Sequence, residues 1–398
     1  MLDYIVSRLQ RTTNSTVFIP QVDGLRFIAI FSVVLLHING FITNKAPFIF
    51  DKSPQSYGWF YYVLSAGFGG HKAVLLFFVI SGFILSLPFA KYYWQEGKPV
   101  NLKSYFLRRL TRLEPPYIVN MVTVTFLLIW FGNPDFFLTN PRSLESLLPN
   151  LAASLAYVHN LVFPKGFSVN AVAWSLEIEV QFYILMPLFV QVLRLEKKLR
   201  RFFICIAIVV LVFLQHAYPT DRISLFNFIQ YFFLGFLLAD LYLNKIRLNI
   251  GSLVSFFAGM GVLLSEMSIV DIYSNIYFEF VFIIFLFIFC FLVLTDAFWI
   301  RIFSLKPLTV IGGMCYSIYL WHDIVISAVG RYTIYLNISY SYPIAFFWHS
   351  VILLLSVLFF SALMFLFIEK PCMDRLWPHK FFEWAKKLPQ LVAKFYFN

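Results

Sequence analysis

The chain has 398 residues, of which 60% are hydrophobic and only 13% are charged, and its mean hydropathy is +0.78. This composition excludes an ordinary soluble protein, which would need far more polar residues to cover its surface. The formal net charge of +11 could point to nucleic acid. However, the basic residues lie in short stretches between apolar blocks, which is the pattern of a polytopic helical membrane protein.

Ten apolar blocks predict an all-α bundle of ten transmembrane helices, forming one domain over residues 1–398 with no appended soluble domain. The first 25 residues lack the apolar core and cleavage site of a signal peptide, so the first span is expected to remain as an anchor. The mixed polarity of residues 144–162 is typical of an interfacial helix. The predicted spans are 27–42, 73–90, 116–132, 178–194, 201–216, 226–243, 250–266, 277–295, 309–329 and 344–368.

The basic residues also predict the orientation of these spans. If the N-terminus is cytoplasmic, 24 of the 31 Lys and Arg residues fall on the inner side, whereas the acidic residues divide evenly. Because positive charge favours the cytoplasmic side, both termini are predicted to be cytoplasmic. The positive net charge is therefore an orientation signal, and no nucleic-acid partner is expected.

The first span carries two ionisable residues, Arg26 and His37, separated by ten apolar or small residues. Eleven steps of about 100° return the two side chains to within roughly 20° of one helix face, and place His37 roughly 16 Å further along the axis. An ionisable group in hydrocarbon costs about 2.5 kcal/mol or more, so a functional role is the default hypothesis. The alternatives are that Arg26 reaches the lipid headgroups and that His37 bonds to a neighbouring helix.

Three arginines, Arg108, Arg109 and Arg112, precede the third span and are followed by Pro115 and Pro116. In a helix the three guanidinium groups would cluster, because residues three and four apart are neighbours. The two prolines are expected to begin the following helix. Since guanidinium groups bind phosphates through paired hydrogen bonds, the cluster is either a phosphate site or an ordinary positive-inside anchor.

The fourth span begins with two carboxylates, Glu177 and Glu179, bordered by Trp174, Gln181 and Tyr183. On a helix the two carboxylates point about 200° apart, so they do not form a catalytic pair, and one of them is expected to be solvated. The set could bind a hydroxyl-rich ligand or orient a base. The alternative is a solvated helix end.

His322 and Asp323 lie together past the middle of the ninth span. A histidine and a carboxylate in an apolar helix are costly unless they face a cavity or a polar partner. In the second span, Ser81 and Gly82 are interpreted mainly as small residues that allow close helix packing. The cysteines have no C-x-x-C spacing and are interpreted as packing residues rather than disulfide partners or metal ligands. They are Cys205, Cys290, Cys315 and Cys372.

Six motifs, taken together, resemble acyltransferase family 3, the integral-membrane acyltransferases. They occur in the order typical of that family and cover nearly the whole chain. They are Val22-Asp23-Gly24-Leu25-Arg26 leading to His37; Phe77-Phe78-Val79-Ile80-Ser81-Gly82-Phe83; Arg109-x-x-Arg112 ahead of Pro115; Trp174-Ser175-Leu176-x-Ile178-Glu179-x-Gln181-Phe182-Tyr183; Tyr316-Ser317-Ile318-Tyr319-Leu320-Trp321-His322; and Ile368-Glu369-Lys370-Pro371.

The resemblance implies a multi-pass enzyme of the bacterial inner membrane that takes an acyl group, usually acetyl, from cytoplasmic acyl-coenzyme A. The implied acceptor is a hydroxyl of a cell-surface or exported glycan, including a lipid-linked one. Candidate acceptors include lipopolysaccharide O-antigen, capsule, exopolysaccharide, peptidoglycan and a small glycosylated metabolite. Some members of the family carry a C-terminal extracytoplasmic domain, and this chain resembles the single-domain form. No metal cofactor is expected.

The resemblance also assigns roles to residues. Arg26 and His37 correspond to the family's Arg-x10-His motif. Arg109 and Arg112 are implied to hold the coenzyme, and Arg26 and Arg108 are expected to contribute to the same binding site. His37 is expected to act either as general base on the acceptor hydroxyl or as an acyl carrier. The alignment to Trp174 favours Glu179 over Glu177 as the functional carboxylate. Residues expected to orient the imidazole or bind the sugar are Glu179, His322, Asp323, Trp174 and Gln181.

Two other classes of protein remain open. A glycan or lipid-intermediate exporter could use His37, His322 and Asp323 as a proton path, although the sequence shows no paired halves with interrupted helices. A structural subunit could use its polar residues only to join helices. Binding of acyl-coenzyme A separates the acyltransferase from both alternatives.

Overall fold

All regular secondary structure in the described part of the computed structural model is helical, as predicted. The described residues are 7–11, 18–45, 69–95, 97–131, 144–163, 168–247, 251–266, 273, 275–335, 342–374 and 376–378. The α-helices are α1 (Pro20–Lys45), α2 (Gly70–Trp94), α3 (Leu102–Phe131), α4 (Leu144–Leu155), α5 (His159–Val162), α6 (Trp174–Phe189), α7 (Lys197–Ala217), α8 (Ile229–Leu243), α9 (Ser252–Glu266), α10 (Ile276–Thr295), α11 (Ala297–Phe303), α12 (Lys306–Gly313), α13 (Cys315–Thr333), α14 (Tyr342–Met364) and α15 (Lys370–Cys372). Short 3₁₀ turns lie at Ala171–Ala173, Val190–Arg194 and Leu225–Asn227, and a π-helical turn joins α14 to α15 over Phe365–Glu369.

Seven helical segments of the described residues are long and apolar enough to cross a membrane. They coincide with the predicted spans one to five, eight and ten. The predicted ninth span is a pair of helices, α12 and α13, bent by 71° and counted as an eighth crossing if the pair is one span. The predicted sixth and seventh spans are the 15-residue helices α8 and α9. A count of ten spans and cytoplasmic termini therefore stay predictions.

Helix α3 starts well before the predicted boundary and contains Pro115 and Pro116, so the prediction that these prolines begin a helix is wrong. A proline inside a helix removes the hydrogen bond to the carbonyl four residues earlier. For Pro115 that carbonyl belongs to Thr111, and the indole Nε1 of Trp377 donates to it at 2.8 Å. Because a distant side chain satisfies the freed carbonyl, the arginine segment and the span form one continuous helix.

Glycines set the closest helix contacts. A Cβ added to Gly82 of α2 would lie 2.1 Å from the carbonyl oxygen of Phe232 in α8, and one added to Gly235 of α8 would lie 2.3 Å from that of Val79. Because no Cβ fits between the two backbones at these positions, the backbones of α2 and α8 can approach this closely only where glycine stands. The packing interpretation of Gly82 is therefore confirmed.

Helix α1 lies between two hydrophobic clusters. One stripe of its side chains, which includes Leu25 and Val33, packs into a cluster formed with α2, α6, α8 and α10. Another stripe, which includes Ile30 and Ile38, packs into a cluster formed with α3, α13 and α14. Arg26 and His37 belong to neither stripe.

Buried asparagines attach α13 to its neighbours. Asn120 of α3 donates its amide to the carbonyl of Leu320 at 2.9 Å, and Asn170 donates to Asn120 Oδ1 at 2.8 Å. All three groups are buried. A buried amide is costly unless bonded, so this chain of hydrogen bonds sets the position of α13 two residues before His322.

The four cysteines form no disulfide. Cys290 and Cys372 are buried and Cys315 is partly buried, as a packing role requires, whereas Cys205 is exposed on α7. The packing interpretation is therefore wrong for Cys205.

Candidate active site

Helices α1 and α13 bring His37, His322 and Asp323 together. His37 Nδ1 lies 3.5 Å from Asp323 Oδ1, and the His37 and His322 rings meet edge to face with centroids 4.8 Å apart. The His37 side chain is 31% exposed and that of Asp323 is 18% exposed, while His322 is fully buried. The two separate sequence predictions for the first and ninth spans therefore meet in one site.

The hydrogen bonds of His322 decide which of its nitrogens carries the proton. Its Nδ1 faces two backbone carbonyls, Tyr319 O at 2.8 Å and Ile318 O at 3.1 Å. A carbonyl can only accept, so Nδ1 must be the protonated nitrogen of the neutral ring. The buried Nε2 is then an acceptor, and no described residue donates a hydrogen bond to it. His322 thus presents a fixed, unoccupied lone pair beside His37.

Arg26 does not reach out to solvent but pairs within its own helix. Its guanidinium lies 2.7 Å from Asp23 Oδ1, and Arg11 Nε lies 2.8 Å from Asp23 Oδ2. Asp23 is almost fully buried, at 1% exposure. Arg26 also lies within electrostatic range of Cys315 at the start of α13 and of Glu179 in α6. It therefore faces the interior of the bundle on the side of α1 that leads to His37.

Glu179 is the carboxylate that faces the site. Its Oε1 accepts hydrogen bonds from Ser81 Oγ at 2.5 Å and from the hydroxyl of Tyr183. The guanidinium of Arg109 lies over two tyrosine rings. Its Cζ atom is 5.2 Å from the centroid of the Tyr183 ring and 3.9 Å from the centroid of the Tyr105 ring, which belongs to α3 like Arg109 itself. These contacts join residues of three predicted motifs into one chain of polar contacts.

The other members of the fourth-span set fasten helix α6 to its surroundings. Glu177 is buried and accepts from both the backbone N–H and the side-chain amide of Asn160, at 2.9 and 2.8 Å. Gln181 accepts from Leu225 N at 2.9 Å, and Trp174 packs against Phe78 and other aromatic rings. The expected solvated helix end is therefore wrong, because Glu177 accepts hydrogen bonds from Asn160 of α5 and Glu179 accepts them from two hydroxyls.

The three arginines of α3 have different surroundings. Arg108 is exposed and its Nε donates to Ser104 O of its own helix. Arg109 is stacked as described above. Arg112 is partly buried, and its Nε has no hydrogen-bond partner. The predicted cluster thus separates into one outward-facing residue and two that face the bundle.

Glu369, the carboxylate of the last motif, is buried at the start of α13. Its Oε2 accepts from the backbone N–H of Ser317 at 3.0 Å and from the Ser317 hydroxyl at 2.6 Å. Arg112 lies within electrostatic range of this carboxylate. The bond is thus a cap that closes the amino end of α13 and holds the π-helical turn against it.

Sequence reasoning did not single out Arg11 or Tyr105. Arg11 lies in a polar segment without periodicity, and no spacing rule connects it to Asp23. Tyr105 could have been noticed, because it lies four residues before Arg109 and so falls on the same helix face. The remaining predicted residues lie in two groups, His37 with His322 and Asp323, and Arg26 with Glu179, Arg109 and Arg112 on the side of Cys315.

Comparison with known proteins finds chains of similar sequence. The family model of acyltransferase family 3, described as an acyltransferase domain, matches residues 19–366. O-acetyltransferase OatA of Staphylococcus aureus is 27% identical over 340 residues, which cover 79% of this chain and 52% of that protein. Peptidoglycan O-acetyltransferase OatA of Listeria monocytogenes is 28% identical over 195 residues, which cover 46% of this chain and 26% of that protein. The chain thus matches about half or less of these relatives, and no solved structure matches it significantly.

Proposed function

The chain belongs to acyltransferase family 3, and from this premise we propose that it is a membrane O-acyltransferase. The proposed donor is cytoplasmic acyl-coenzyme A, with acetyl as the acyl group, because the relatives above are named O-acetyltransferases. The proposed acceptor is a hydroxyl of a cell-surface or exported glycan, and peptidoglycan is the acceptor that one relative's name states. The observation that carries the proposal is the 3.5 Å contact between His37 Nδ1 and Asp323 Oδ1.

This contact is the arrangement that a catalytic base needs. With Asp323 facing Nδ1, the proton of neutral His37 lies on that nitrogen and Nε2 is left as the basic atom. The carboxylate also stabilises the imidazolium that forms when Nε2 accepts a proton. A distance somewhat longer than a good hydrogen bond is common in the absence of substrate. The partial exposure of His37 leaves room for a hydroxyl to reach it.

In the proposed reaction, His37 Nε2 takes the proton of the acceptor hydroxyl while its oxygen attacks the thioester carbonyl carbon. The carbon–sulfur bond then breaks, the ester forms, and the proton on His37 passes to the leaving coenzyme A thiolate. A positioned base of this kind contributes about 10²–10⁴-fold to the rate. The same pair also suits a relay, in which Nε2 first takes the acyl group and the hydroxyl attacks the acyl-imidazole.

The donor is proposed to bind near the end of α1 that lies away from His37. Arg26 lies about 16 Å from His37 along α1, and Arg109 and Arg112 approach the same end from α3. Guanidinium groups match the phosphates of coenzyme A in charge and geometry. Arg108, which is exposed and bonds to its own helix, is the weakest member of the proposed donor site.

A transporter fits the structure less well. Transporters with inverted repeats break a helix in both halves of the bundle, at corresponding positions. Within the described residues only the α12–α13 pair is bent in this way. The broken helix is instead explained by the Glu369 cap and by the site residues that α13 carries.

Turnover of acetyl-coenzyme A tests the proposed function. We expect the purified protein, supplied with a membrane glycan extract, to release coenzyme A and to transfer labelled acetyl to the glycan. Label that first accumulates on the protein would favour the relay over direct transfer. Folded protein that neither binds nor consumes acetyl-coenzyme A under these conditions would overturn the proposal and favour the exporter.

The substitution Tyr183→Phe should separate catalysis from donor binding. It removes the hydroxyl that donates to Glu179 but keeps the ring beneath Arg109. A hydrogen bond to a charged group is worth about 1.5–3 kcal/mol, so kcat should fall by roughly 10-fold or more while KM for the donor stays within about 2-fold. Tyr183→Leu, which also removes the ring, should raise KM as well.

The matched control is Tyr105→Phe, which keeps the other ring beside Arg109 and should leave both constants nearly unchanged. Steady-state kinetics over a range of acetyl-coenzyme A concentrations measure both quantities. If Tyr183→Phe raised KM as much as Tyr183→Leu, the hydroxyl would not act separately from the ring.

A further inference from the structure

The segment that precedes α1 contacts the bundle at the bend between α12 and α13. Lys370 Nζ donates to the backbone carbonyl of Arg8. The side chain of Arg11 passes beside Gly313, where an added Cβ would lie 3.7 Å from Arg11 Cδ. It also lies 2.8 Å from Asp23 Oδ2. Arg11 thus lies between α1 and the bend between α12 and α13, on the side of Arg26.

The charges around Arg11 do not balance. Asp23 is shared between two guanidinium groups, because one of its oxygens contacts Arg11 and the other contacts Arg26. Arg112 adds a third positive charge within electrostatic range of Arg11, and the carboxylate near Arg112 is Glu369. Within electrostatic range of Arg11, the three arginines therefore face two carboxylates, Asp23 and Glu369, which leaves a net positive charge beside Arg11, while Glu179 lies within range of Arg26.

Buried positive charge of this kind is costly unless an anion compensates it. Burial, together with the nearby charge of Arg26, lowers the pKa of Arg11 to about 10. Among the residues that the structure describes, Arg112 Nε is a buried donor with no hydrogen-bond partner. The cluster therefore has both spare charge and a spare donor.

The anion that completes the cluster has to come from outside these elements. The Ser317 N–H and hydroxyl at the start of α13 are already occupied by Glu369. Both oxygens of Asp23 face arginines. What remains for a ligand is the guanidinium groups, whose planar, forked donors suit a phosphate group better than a point charge would.

We propose that Arg11, together with Arg26 and Arg112, binds a phosphate group of the acyl donor at the end of α1 away from His37. The inference rests on the proposed function, and it deepens that function by extending the donor site to the segment before α1. Arg11 is a binding residue in this scheme, and it takes no part in the bond changes at the thioester.

The test compares Arg11→Gln with Arg8→Gln, measured with two donors in nanodiscs of neutral phosphatidylcholine. Arg8 is an exposed arginine three residues away, whose contact with Lys370 is made by its backbone. The donors are acetyl-coenzyme A and acetyl-pantetheine, which carries the same thioester without any phosphate. We expect Arg11→Gln to weaken binding of acetyl-coenzyme A by about 10-fold or more, since it removes charge-assisted hydrogen bonds. Arg11→Gln should leave the affinity for acetyl-pantetheine unchanged. Arg8→Gln should leave the affinity for both donors unchanged.

A second variant guards against misfolding. Arg11→Lys keeps the charge but loses the fork, so its affinity for acetyl-coenzyme A should fall between those of the native protein and Arg11→Gln. An equal loss for both donors, or no loss for either, would overturn the proposal. So would a loss that appears only when anionic phosphatidylglycerol is added, because the phosphate would then be a lipid headgroup. In each of these cases acetyl-coenzyme A is still consumed, whereas failure of the proposed function would abolish its turnover in the unaltered protein.

Discussion

Replacing His37 with alanine should lower acyl transfer by about 10²–10⁴-fold or more while leaving the protein folded and able to bind acetyl-coenzyme A. The loss follows from removing the nitrogen that takes the hydroxyl proton in direct transfer or carries the acyl group in the relay. Folding should survive, because the imidazole is 31% exposed and it contacts the polar side chains of Asp323 and His322. Release of coenzyme A and transfer of label to glycan measure the effect.

Asp323→Asn is the matched control for this prediction. Asparagine keeps the size of the side chain but cannot stabilise an imidazolium, so turnover should fall by less than in His37→Ala. Near-normal turnover in His37→Ala would contradict both the direct and the relay scheme.

Replacing Gly24 with alanine should destabilise the whole bundle. A Cβ at this position would lie 2.2 Å from the carbonyl oxygen of Phe303 in α11, and backbone atoms cannot move aside as a flexible side chain can. Overpacking of this kind costs about 1–3 kcal/mol and occasionally more. Because Gly24 lies two residues before Arg26 and beside Asp23, the displacement should also weaken donor binding. Thermal unfolding in detergent and acetyl-coenzyme A affinity measure the two effects.

Gly40→Ala in the same helix is the control, since nothing lies within 4 Å of a Cβ added there. Alanine has the higher helix propensity, by about 1 kcal/mol relative to glycine, so this variant should be neutral or slightly more stable. Equal melting temperatures for the two variants would show that the contact between α1 and α11 does not hold the bundle together.

The residues of the site were largely predictable, because an ionisable side chain in an apolar helix stands out against its surroundings. Arg26, His37, His322 and Asp323 were found in this way, and the helical period placed the first two on one face. The pairing of His37 with Asp323 could not be predicted, since the residues lie in the first and ninth predicted spans. No periodic pattern states which helices become neighbours.

The errors have a common cause. Pro115 looked like the start of a helix because a proline usually interrupts one, but Trp377 satisfies the freed carbonyl from the far end of the chain. One of the two carboxylates at the start of the fourth predicted span was expected to be solvated, but Asn160 folds back and donates twice to Glu177. In both cases a polar group that would be costly alone is satisfied by a partner distant in sequence.

The sequence alone determined that the protein is an all-helical membrane bundle, where most of its helices lie, and which side chains are too polar to be in them by chance. These properties are local, because each depends on the hydrophobicity and period of one segment. Only the tertiary structure decided that Asp23 is shared by Arg11 and Arg26, that Glu179 takes hydroxyls from Ser81 and Tyr183, and that Glu369 caps the bent helix α13. Such partners are chosen by helix packing, and packing depends on where two backbones can approach, as α2 and α8 do at Gly82 and Gly235.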